Sequence, residues 1–212
     1  MSMLLHRGAV AQRLIRICLG FIGLCAVLGQ TQASVAANRS HDSGQTGWGR
    51  AKGAAASELV IAAQDDDIEK VQALLEKGSH VNDADGNGRT ALMHVSTSGH
   101  LEIAKLLLTH GAQPELPDKF GNSALHYAAQ GGNLEIVRLL LERHSPPDQQ
   151  NLDGETALMF AAGSGEMKIV HVLLEAGADP RKTDHTGRDA ADWAQDSKQS
   201  AVVEILRSVA RR

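Results

Sequence analysis

The chain has 212 residues, room for one ordinary domain and a tail. With 42% apolar and 22% charged residues it can build a packed core, which excludes wholesale disorder. Aromatics at 3% and a formal charge of −4 oppose a nucleic-acid binder, which needs stacking platforms and a basic surface.

Residues 1–37 contain no acidic residue. Arg7, Arg13 and Arg16 precede a charge-free apolar run, Ile17 to Leu28, and small and polar residues follow to Ala37. That order predicts a secretory signal peptide over 1–37, cleaved after Ala33, Ala36 or Ala37. The run is short of the roughly 20 residues that span a bilayer, so no stable membrane insertion is expected after cleavage. An uncleaved inner-membrane anchor is the alternative. Cys18 and Cys25 both lie in the run, so the mature chain has no thiol for disulfides, catalysis or zinc. Leu24 before Cys25 departs from a lipoprotein signal, which wants a small residue there. Removing three of 21 basic residues and none of 25 acidic ones shifts the charge from −4 to −7, which favours a partner with a basic face.

Residues 38–56 are rich in Gly, Ser and Ala without apolar periodicity, and read as a flexible linker carrying one odd residue, Trp48. Trp48 is either a loop residue or a short recognition element.

Beyond the linker a period of 33 governs the chain. Gly78, Gly111 and Gly177 share one lattice, with His144 at the fourth node. Gly99, Gly132 and Gly165 share a second; Gly88, Gly121, Gly154 and Gly187 a third; Ala91, Ala124, Ala157 and Ala190 a fourth. Within 118–150, Asp118 to Gly121 signals a turn, and Ser123 caps a short helix with a small-residue face. Gly131 and Gly132 end that helix. A second helix follows, with a broad apolar face from Leu134 to Leu141. One such unit cannot bury its own apolar side, and stacking gives each face a partner. The pattern predicts an all-α solenoid over 57–212, about five helix-turn-helix units at 57–84, 85–117, 118–150, 151–183 and 184–210.

The segments GRTALMHVS (88–96), GNSALHYAA (121–129) and GETALMFAA (154–162), with Gly132 to Val137 and GADP (177–180), resemble the ankyrin repeat. The resemblance implies β-hairpin-like loops between units and a binding role for the loop surface. It implies that His126, at a helix start, bonds loop backbone. Ala91, Ala124, Ala157 and Ala190 stand where the family usually has Pro. The first unit lacks the leading turn and the last carries Asp192 and Lys198, as terminal caps do. The third unit ends in HSPP (144–147) instead of a Gly-Ala-Asp loop, so a local disturbance of the pitch is expected there.

No catalytic, cofactor or metal motif stands out, and an enzyme is not expected. Asp83 to Gly88 begins like a calcium loop, but the twelfth position is His94 instead of Glu. Asp65, Asp66 and Asp67 read as a solvated turn that favours the following helix. His94, Tyr127, Phe160 and Trp193 share one column and are expected to stack.

In such a stack, turn tips and first helices form a concave surface. The candidate partner-binding residues are Asn87 and Arg89; Lys119, Phe120 and Asn122; Leu152, Asp153 and Glu155; His185 and Arg188. Phe120 and Leu152 are the apolar members of adjacent tips. The expected function is a non-catalytic, monomeric scaffold for another protein in the periplasm or secreted medium. Family resemblance implies an accessory factor of a periplasmic enzyme such as catalase. One alternative is an inhibitor that neutralises a toxin or hydrolase. Another, of a different class, is small-molecule or metal binding.

Overall fold

The computed structural model describes residues 57–211. The signal at 1–37 with its cleavage sites, the linker at 38–56 and Trp48 lie outside the described residues. Among the described residues, ten helices form five pairs: α1 (Glu58–Gln64) with α2 (Ile68–Glu76), α3 (Ala91–Ser98) with α4 (Leu101–Thr109), α5 (Ala124–Gln130) with α6 (Leu134–Glu142), α7 (Ala157–Ser164) with α8 (Met167–Glu175), and α9 (Ala190–Asp196) with α10 (Ser200–Ala210). Among the described residues, no helix is long and apolar enough to cross a membrane.

The caps explain where the first helices start. Ser57, Thr90, Thr156 and Asp189 each accept from a backbone amide three residues on. At Ser123 the cap is reciprocal, because His126 Nδ1 in turn accepts from the Ser123 amide at 3.1 Å. Two of the three carboxylates of the acidic run make identifiable bonds. Asp67 caps α2 by accepting from the Lys70 amide at 2.9 Å. Asp66 meets His100 Nδ1 at 2.8 Å.

Packing follows the predicted division of labour. The first helices form one row and the second helices another, and neighbours in the first row pack more closely. The reason is bulk: buried Ala62, Ala63, Ala128, Ala129, Ala161, Ala162 and Ala194 let first-row backbones approach. The second row buries one stripe per helix, for example Ile136, Val137 and Leu140 on α6. The core is therefore one continuous layer between the rows.

Among the described residues, three that are not glycine have left-handed backbones: Asp66, His144 and Lys198, with φ of 57°, 63° and 62°. Each occupies a node of a glycine lattice. His144 overturns the expected disturbance in the third unit. Ser145 N–H donates to Leu140 O at 3.0 Å, as Ala112 does to Leu107 O and Ala178 to Leu173 O. A side chain is tolerated because this node is open: a Cβ at Gly111 or Gly177 would meet nothing within 4 Å. Only the strain of the left-handed backbone remains, on the order of 1–2 kcal/mol.

Candidate protein-binding surface

Four tips project from the stack, at 85–89, 118–122, 151–155 and 184–188. Each is closed like a hairpin by two bonds at 2.9–3.0 Å: the amide of residue 85, 118, 151 or 184 donates to the carbonyl four residues on, and the glycine amide three residues on donates back to its carbonyl. The expected hairpin character is therefore present as an antiparallel closure, of which Ala84 with Thr90 forms a β-bridge.

The first residue of each tip holds the tip rigid. One Asp118 oxygen accepts from the Phe120 and Asn122 amides at 2.8 and 2.9 Å. Asp85, Asn151 and Asp184 do the same in their own tips. The second oxygen accepts from the ring nine residues later: His94 Nε2 for Asp85, Tyr127 Oη for Asp118 and Trp193 Nε1 for Asp184. The fourth unit proves the rule. Phe160 has no polar atom, and its partner is Asn151, whose amide donates to Asn122 Oδ1 and Glu155 Oε2 instead. Sequence reasoning found the turn but not this pairing. Its signal was a 33-spaced Asp/Asn column matched to a ring column nine residues on.

These bonds fix the electrostatics. Burial works to raise the Asp184 carboxyl, but donors from Thr186, Arg188 and Trp193 outweigh it and hold the group well below the ordinary range. Asp85 follows the same pattern more weakly, with Arg89, His94 and Asn87 as donors. Burial and donation to Asp118 push the Tyr127 phenol up. Burial lowers His126, whose Nε2 meets Glu155 O at 3.2 Å, the loop-backbone bond that the resemblance implied.

Neighbouring tips are stitched together. The amides of Lys119, Leu152 and His185 donate to Asn87 O, Phe120 O and Asp153 O at 3.1, 2.9 and 2.9 Å. Gly121 permits this approach: its φ is 82°, and a Cβ there would lie 2.6 Å from Leu152 N.

On this ladder the candidate residues separate. Asn87, Lys119, Asp153 and His185 are exposed. Phe120 and Leu152 are 57% and 68% exposed, side by side on bonded tips. Asn122, Glu155, Arg89 and Arg188 are half-buried. Arg188 lies over the Trp193 ring at 5.0 Å and donates to Asp184 at 2.9 and 3.1 Å. Arg89 lies over Tyr127 at 5.0 Å, with Nε 3.9 Å from Asp118. The ring column is not the single stack expected from sequence. Phe160 meets Trp193 edge-on at 5.8 Å and also His126 at 5.9 Å, while Tyr127 is covered by Arg89.

Paired helices in two rows, joined by stitched tips, define a repeat solenoid that presents a rigid loop surface. The family model of the ankyrin repeats (3 copies) matches residues 59–151 and 143–210, and the chain belongs to the ankyrin repeat family. Repeats of this family are protein–protein interaction scaffolds, typically non-catalytic. No curated protein matches the chain.

Proposed function

We propose that this protein captures a protein partner on the tip ladder and the adjoining first helices. The observation that carries the reading is the exposed pair Phe120 and Leu152 on tips held by the 2.9 Å bond between Leu152 N–H and Phe120 O. Rigid tips lose little entropy on binding, and an exposed aromatic beside polar groups is a good anchor. The signal read in residues 1–37 supports a periplasmic setting. Family resemblance supports an accessory role to a periplasmic enzyme such as catalase.

Phe120→Asp tests the anchor. With full-length protein as bait in envelope extract, the wild type is expected to retain a partner that the variant loses. Circular dichroism and melting should be unchanged, because the side chain is exposed. Equal retention by both removes Phe120 from the site. Mass spectrometry of the captured protein tests the compartment, with a periplasmic enzyme expected.

A further inference from the structure

The charges along the ladder are ordered in a way that the net charge conceals. Arg89 and Lys119 lie at the tips of the second and third units, and Asp153 and Glu155 at the tip of the fourth, with Phe120 and Leu152 between them. We propose that these tips read an extended segment of the partner in a set order: an acidic side chain at Arg89 and Lys119, an apolar one between Phe120 and Leu152, and a basic one at Asp153 and Glu155. The proposal rests on the scaffold reading above and names the partner chemistry for it.

Arg89 is prepared for a carboxylate. Its guanidinium carbon lies 5.0 Å from the Tyr127 ring centre, and its buried Nε has no hydrogen-bond partner among the described residues. Asp118, 3.9 Å away, already accepts from two tip amides and the Tyr127 hydroxyl. The fifth unit shows the contrast, because Arg188 donates twice to Asp184 and once to Thr186. The Arg89 side chain is 28% exposed, and the terminal N–H groups of its planar fork suit a carboxylate from outside. At the other end the excess is negative. Burial pushes the Glu155 carboxyl up, Asp153 and Asp184 add to it, and Asn151 and Arg188 oppose. A cation from outside would relieve that crowding. The spacing fits an extended chain: packed helices lie about 8–10 Å apart, so three tips span about 16–20 Å, or roughly six residues at about 3.3 Å each.

Fluorescently labelled, end-capped heptapeptides test the order against the full chain at low salt. The parent is Glu-Gly-Ser-Leu-Ser-Gly-Lys; variants carry Glu at both ends, Lys at both ends, or Ser for Leu. The parent is expected to bind tightest, with each replacement weakening it about threefold to fivefold and salt reducing the charge effects. Lys119→Glu should move the preference to the peptide with two Lys, and Asp153→Lys to the one with two Glu. Both side chains are exposed and make no hydrogen bond among the described residues, so the variants keep the fold. Equal affinities, tightest binding by the peptide with two Lys, or no binding by any peptide overturns the order. Partner capture that persists and still depends on Phe120 would then leave the scaffold reading standing alone.

Discussion

Gly121 and Gly187 occupy the same place in the third and fifth units and have nearly the same backbone, with φ of 82° and 84°. Their surroundings differ. Behind Gly121 lies the backbone of the next tip, so a Cβ would sit 2.6 Å from Leu152 N and 3.0 Å from Asn151 Cα. Behind Gly187 a Cβ would meet nothing within 4 Å. The inner turn needs glycine for its conformation and for the approach of its neighbour, the outer turn for conformation alone. Each unit therefore has an intrinsic demand, repeated along the chain, and a neighbour demand that stops at the last unit.

The second row gives the largest test of that difference. Leu140, fully buried in α6, lies between units on both sides, and Leu140→Ala is expected to cost about 4 kcal/mol in urea unfolding. Leu206 in α10 is as buried but has no further unit packed beyond it among the described residues, so the site can collapse, and Leu206→Ala should cost nearer 2 kcal/mol. Equal losses would mean that the last unit is as constrained as an inner one. The turns come next. Gly121→Ala combines left-handed strain with a backbone clash and should cost about 3 kcal/mol. Gly187→Ala should cost only about 1 kcal/mol. If the two are equally damaging, the tip ladder contributes nothing beyond local turn geometry.

The same division decides what the sequence disclosed. Period, helix pairs, row composition and exposed tips were legible because each depends on residues within one unit, sampled repeatedly. His144 was misread because glycine marks a conformation, while tolerance of a side chain depends on whether another element stands behind it. The pairing of Asp118 with Tyr127 was missed because the expectation of ring stacking ignored the polar atoms. The swap to Asn151 with Phe160 was visible in the letters but has meaning only once a donor and acceptor are known to face one another. The opposite charges flanking Phe120 and Leu152 were hidden by a net charge summed over the whole chain.

Acid should separate the two regions, with smaller effects. His126 in the third unit has a folded pKa below its ordinary value of 6.5, chiefly through burial. The unfolded chain then binds more protons than the folded one below about pH 6.5, so this stability is present above that pH and falls as pH drops towards the folded value. His94 adds to the same limb, since burial lowers it and only part is restored by Asp85. Asp184 in the fifth unit is depressed from 3.8, so its contribution is complete above that value and is lost only at lower pH. Urea midpoints measured from pH 7.5 to 3 should decline in two stages. His126→Asn should shrink the upper stage and leave the lower one; Asp184→Asn should lower stability at neutral pH and shrink only the acid stage. A single stage moved equally by both variants would mean that inner and terminal units titrate as one, contrary to the contrast between Gly121 and Gly187.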